Sequence, residues 1–173
     1  RLRMAALVLV VGVMQVAGAD PTFLARSVDK IQAKPDDLTT GDARGASYKP
    51  IFGIGDAMAR HLKGVARYGE LTVEPGGASA LVSYPAEEQI YYVTSGKGTL
   101  RYGTEEAPIR TDDFLYLPVG VKHGVVNRGS EPVKVLVMGF RIPAGTTVEP
   151  TPKRMLANAA DVPLVPVAGH GPT

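Results

Sequence analysis

The chain has 173 residues, 45% of them apolar, with 19 Lys+Arg, 17 Asp+Glu and no cysteine. That length suits one domain whose core must hold without disulfides, and the lack of cysteine excludes a thiolate nucleophile, a thiolate zinc site and a lipid-modified cysteine. The formal charge of +2 comes from Arg1 and Arg3; residues 20–173 carry 17 of each sign and no basic stripe, so nucleic acid and anionic membranes find no electrostatic footprint.

Residues 1–19 read as a secretory signal peptide. Arg1-Leu2-Arg3 is cationic, Met4 to Val16 is almost wholly apolar, and Ala17-Gly18-Ala19 is an A-x-A cleavage site before Asp20. The apolar run falls short of the ~20 residues of a spanning helix. The expectation is a secreted or periplasmic protein with no membrane contact after cleavage. Residues 20–65 read as an N-terminal arm and a lead-in strand, broken by Pro21, Pro35 and Pro50. Lys34-Pro35-Asp36-Asp37 has turn chemistry, and Asp56 is placed to cap a short helix over Ala57–Leu62, with a strand running into Val65 as the alternative. Gly53-Ile54-Gly55 lacks the third glycine of a dinucleotide loop, since Met58 stands there.

From residue 66 to 142, runs rich in β-branched and aromatic residues alternate with Gly, Pro and Asp turns. Strands are predicted near 67–74, 78–84, 89–94, 97–102, 107–110, 113–117, 122–127 and 132–141. Lys97, Thr99 and Arg101 share one face of their strand, and Gly98, Leu100 and Tyr102 the other. Ser95-Gly96-Lys97-Gly98 supplies the glycines of a tight hairpin. Residues 143–173 contain six prolines and read as an extended tail with one helical turn at Lys153–Ala160. Residues 23–29 echo residues 155–161, as they would if the tail began a second repeat.

Pro118-Val119-Gly120-Val121-Lys122-His123-Gly124-Val125-Val126-Asn127 has the spacing P-x-G-x-x-H-x-x-x-N. This resembles the second signature motif of the cupin family. Upstream, Gly76 and Gly96 frame a stretch similar to the first cupin motif, with Val82, Tyr84 and Gln89 at the positions of its two histidines and its glutamate. The resemblance implies an all-β fold: a double-stranded β-helix (jelly-roll barrel) with an N-terminal arm and a Pro-rich C-terminal tail. It also implies a homodimer built by packing sheet faces and exchanging N-terminal strands. In that frame Val82, Tyr84, Gln89, Tyr91 and His123 line the barrel and form the candidate ligand site.

His123 is the one residue retained of the usual metal ligands. Iron, manganese, zinc, copper or nickel would need three or four protein ligands, and Gln89 is a weak neutral one; His61 lies on the lead-in to the barrel. Without metal, His123 and Tyr84 could serve as base and acid, as in some metal-free cupin-like sugar epimerases. Tyr84, Tyr91, Tyr92, Tyr102 and Tyr116 fit either an aromatic-lined pocket or strand core. The acidic pairs Glu87-Glu88, Glu105-Glu106 and Asp112-Asp113 read as solvated turns. The last strand is apolar on both faces, with Val133, Val135 and Val137 against Leu136, Met138 and Phe140. The sequence thus reads as a secreted cupin-domain protein with a degenerate metal site that binds a small organic ligand or another subunit and needs no cofactor. The alternatives are a metal-dependent oxygenase, isomerase or lyase with unusual ligands around His123, and a self-assembling structural subunit.

Overall fold

The computed structural model describes residues 25–56, 62–149, 151 and 153–163. The expected signal peptide, most of the helix expected over Ala57–Leu62, His61 and the last ten residues of the tail lie outside them. Nine strands follow in order: β1 Arg44–Gly53, β2 Val65–Ala78, β3 Glu87–Ser95, β4 Lys97–Tyr102, β5 Glu105–Arg110, β6 Asp113–Leu117, β7 His123–Val126, β8 Val133–Arg141 and β9 Met155–Asn158. They form one curled antiparallel sheet in the order β5-β4-β7-β2-β8-β3-β6-β9, and β1 also pairs with β2. This is the all-β jelly-roll barrel that the motif spacing implies.

Alternation along each strand builds the interior. On β3, Glu87, Gln89, Tyr91 and Val93 are buried, while Glu88, Ile90 and Tyr92 are half-exposed. On β8, Val133, Val135 and Val137 turn inward, and Leu136, Met138 and Phe140 lie half-exposed on the outer face. Leu71, Val73, Leu100, Leu115, Leu117 and Val125 complete the core. Gly96 joins β3 to β4 with φ +86°, where a side chain would be strained. Asn127 ends β7 and locks the following turn: its Nδ2 donates to Val73 O (2.9 Å) and Glu131 O (2.8 Å), and its Oδ1 accepts from Gly129 N (2.9 Å).

Four expectations from the sequence change. Residues 79–86 are not a strand; Val82 makes only an isolated bridge with His123. The backbone there is satisfied piecemeal instead, with Ser79 N donating to Val125 O, Ala80 N to Leu38 O, and Tyr84 O accepting from Gly120 N. The arm is more regular than its prolines suggest, because β1 runs for ten residues along β2 and absorbs Pro50 at a register shift. The tail places a strand where a helical turn was expected: Met155–Asn158 pairs with β6, and only Ala159–Asp161 coil into a 3₁₀ turn. The acidic pairs are not uniformly solvated. Neighbours on a strand face opposite ways, so one member of two of the pairs turns inward: Glu87 and Asp113 are buried. Asp113 there accepts from Arg110 N (2.7 Å) and Asn158 Nδ2 (2.7 Å), which fastens β9 to the barrel.

Candidate functional site

One row of the sheet sets the site. Arg67 on β2 pairs with Gly139 on β8, and Gly139 pairs with Gln89 on β3. Gly139 leaves the space in which the side chains of its neighbours meet. A Cβ there would collide with Glu87 Oε1 and stand 2.6 Å from Arg67 Cγ. Arg67 Nε donates to Glu87 Oε1 (2.8 Å), and Gln89 Nε2 donates to the same oxygen (2.6 Å). The guanidinium then forks onto Asp37 of the arm, Nη1 to Oδ1 (2.8 Å) and Nη2 to Oδ2 (3.2 Å), with Asp36 Oδ1 at 3.4 Å. Tyr84 lies under the guanidinium, 4.3 Å from Arg67 Cζ to the ring centroid, and its hydroxyl donates to Asp37 Oδ1 (2.9 Å). A bidentate charge-assisted pair of this kind is strong and geometrically selective.

His123 stands at the inner end of this chain. Its Nδ1–H donates to Val121 O (2.9 Å), and its Nε2 lies 3.1 Å from Gln89 Oε1. Tyr91 packs edge-on against the ring at 5.5 Å, and Tyr84 lies 5.9 Å away. Gln89, Tyr91 and His123 are buried, Val82 is nearly so, and Tyr84 is half-exposed. The five residues singled out in the sequence therefore gather at one end of the barrel. Sequence reasoning missed Arg67, Glu87, Asp36 and Asp37. Arg67 sits in a strand that alternates, yet its charge argues for solvent, and the arm's partners are some 30 residues away along the chain.

The electrostatics follow from burial and pairing. Burial and the nearby Arg67 charge push His123 down to about 4, so its ring is neutral near pH 7. Burial opposes the Arg67 charge, but the hydrogen bonds it donates to Asp37 and the charge of Glu87 outweigh it and hold the guanidinium protonated. Burial and the neighbouring Asp37 raise Asp36 to about 6. Asp37 is also pushed up by burial, yet its hydrogen bonds with Asp36 and Arg67 hold it below the usual carboxylate range. The tyrosines Tyr48, Tyr84 and Tyr91 are raised, chiefly by burial, and stay neutral donors.

This donor set does not fit a first-row metal ion. Nδ1 of His123 is engaged by Val121 O, and the adjacent positions carry Val82, Tyr84 and Gln89, none of them a strong metal ligand. Among the described residues no three of His, Cys, Asp or Glu converge as metal ligands. The fixed cation in the site is Arg67, stacked on the residue at the second-histidine position, and a metal ion beside it would face a like charge.

Comparison with known proteins points the same way as the fold. The cupin domain model matches residues 69–139. An uncharacterised protein of Methanocaldococcus jannaschii is 29% identical over 71 residues, which cover 41% of this chain and 57% of that protein. The match thus spans little more than half of that relative. A predicted oxalate decarboxylase from Thermotoga maritima superposes with TM-score 0.59 at 18% identity, over 69% of this chain and all of its own. A sugar phosphate isomerase of the cupin superfamily from Silicibacter pomeroyi superposes with TM-score 0.53 at 24% identity, over 82% of this chain and 97% of its own. At these identities the two structures speak for the shared fold. The stretch from Gly69 to Gly139 matches the cupin domain model, and its jelly-roll fold is the one these structures share.

Proposed function

We propose that this is a metal-free cupin binding module, exported from the cell, whose barrel takes a small organic ligand. The observation that carries this reading is the Arg67 guanidinium, fixed among Asp36, Asp37 and Glu87 next to His123. In a metal cupin the ion is the positive charge of the barrel. Here the chain supplies that charge itself, permanently and in a low-dielectric setting, where a ligand's polar groups feel it most. His123, neutral and donating through Nδ1–H to Val121 O, fills space beside Gln89; it is not poised near neutral pH as a general base.

The test is elemental analysis of the purified protein together with His123→Ala, followed by a thermal-shift screen of small organic molecules. Wild type is expected to carry no stoichiometric transition metal and to be stabilised by at least one compound. Near-stoichiometric iron, manganese, zinc, copper or nickel that disappears in His123→Ala would overturn the reading in favour of a metal-dependent enzyme.

A second copy of the chain is the partner this reading adds. Tyr68, Met138, Ile90 and Tyr116 lie in register across β2, β8, β3 and β6, and Tyr92 stacks on exposed Phe114 (4.4 Å) in the next row. A partly exposed apolar face of this extent suits subunit packing. Met138→Lys should shift the mass in solution to that of a monomer if the face is used; a wild type that is monomeric at high concentration would remove the partner.

A further inference from the structure

The arm does more than run alongside the barrel. Asp36–Thr40 is a self-contained turn: Asp36 Oδ1 accepts from Leu38 N (3.0 Å), Thr39 Oγ1 accepts from Asp36 N (3.0 Å), and Thr40 Oγ1 donates to Asp36 O (2.9 Å). The turn presents two adjacent side chains to the barrel. Leu38 is fully buried in the core cluster, and its carbonyl accepts from Ala80 N (2.9 Å). Asp37 lays its carboxylate on the Arg67 fork and the Tyr84 hydroxyl, yet its side chain remains 46% exposed. An anion and a compact apolar group thus sit side by side at the open end of the site.

A second, independent observation lies beneath the turn. Among the described residues, the hydroxyls of Tyr48 and Tyr91 are buried without a hydrogen-bond partner. The Tyr48 ring covers Gly69, two residues along β2 from Arg67, where a Cβ would collide with the phenol. Tyr91 shares the inner face of β3 with Glu87 and Gln89. Buried hydroxyls without partners are uncommon and mark places where a polar guest can be accommodated. Asp37 lies on the guanidinium fork, and Leu38 packs in the same buried cluster as the two tyrosines whose hydroxyls lack partners.

Resting on the binding-module reading, we infer that Asp37 and Leu38 stand in for the ligand, a small carboxylic acid with a compact apolar body. Its carboxylate takes the Arg67 fork and the Tyr84 hydroxyl, its body takes the Leu38 seat, and the Asp36–Thr40 turn is displaced as an intramolecular stopper. The charge balance selects a monoanion. An acid that replaces Asp37 restores the same pairing, whereas a phosphate dianion would add charge beside Glu87. The tethered carboxylate competes at an effective concentration in the millimolar range or above, so the wild-type site is held largely closed.

The experiment is calorimetric titration of the full chain with benzoate and 4-methylvalerate, against benzamide, 4-methylvaleramide and inorganic phosphate. Asp37→Ala is expected to bind at least one of the acids about tenfold or more tighter than wild type, with the amides and phosphate left behind. Asp37→Asn, which preserves the turn and keeps an oxygen on Arg67, should give a smaller gain and guards against misfolding of the alanine variant. Adding Arg67→Lys to Asp37→Ala should erase the gain, because an ammonium lacks the fork. Acid binding no tighter in either Asp37 variant than in wild type would overturn the stopper. Amides binding as well as acids would overturn the carboxylate while leaving the binding module standing. That broader reading fails separately, on a stoichiometric metal bound through His123.

Discussion

Replacing His123 with Asn isolates the two buried titrations that bear on this barrel. An Asn amide keeps a donor toward Val121 O and removes the ring. In the folded state burial lowers His123 from the usual 6.5 to about 4. The unfolded chain therefore binds the proton first as pH falls. His123 contributes its stability in full above pH 6.5, and that contribution drains away toward pH 4. The displacement corresponds to roughly 3 kcal/mol, at about 1.4 kcal/mol per pH unit. Asp36 runs the other way. Its side chain is only 7% exposed, and burial lifts it from 3.8 to about 6. Its contribution is complete below pH 3.8 and lost as pH rises through 6, again by about 3 kcal/mol at most. The two slopes nearly cancel in wild type between pH 4 and 6. Urea unfolding at half-unit pH steps, compared between wild type and each single variant, separates the two contributions. His123→Asn should gain up to about 3 kcal/mol relative to wild type on going from pH 7 to 4, while Asp36→Asn loses a similar amount. Other carboxylates cancel in the differences. Profiles for wild type and His123→Asn that run parallel from pH 7 to 4 would refute a neutral, buried His123.

Two further substitutions test the geometry. Gly139→Ala would drive a methyl group into the space where Arg67 meets Glu87, and it should cost about 3 kcal/mol or more in thermal or urea unfolding, since it breaks a buried ion pair and overpacks the row. Asn127→Ala strands the carbonyls of Val73 and Glu131 and the Gly129 amide; a loss of about 2–4 kcal/mol is expected in the same assay, with the cupin fold retained by circular dichroism.

Much of the barrel is legible in the residues because local rules govern it. β4 and β6 have the bounds that alternation predicts, 97–102 and 113–117, and the Pro118–Asn127 spacing points to the jelly-roll fold before any strand is placed. The misread segments are those whose partners are distant. The segment predicted as a strand, 78–84, has strand-like composition, but beyond Ala78, which ends β2, no neighbouring strand offers it a continuous ladder. β1 and β9 look irregular in sequence and become strands because β2 and β6 present open edges to them.

The candidate site divides the same way. From the sequence, period-two alternation groups Gln89 with Tyr91 and His123 with Val125, and the resemblance to the cupin motifs adds Val82 and Tyr84 to the expected inner face, because both signals are properties of contiguous residues. Only the tertiary structure decided what joins them. Arg67, Glu87 and Asp36 carry charges that, taken singly, belong in water; their side chains become buried because opposite charges meet there from distant parts of the chain, with the half-exposed Asp37 completing the pairing. That pairing depends on the closure of the sheet and on the missing side chain of Gly139, which lets Arg67 and Glu87 meet. Long-range charge compensation leaves no period in a sequence, and so it is visible only once the chain has folded.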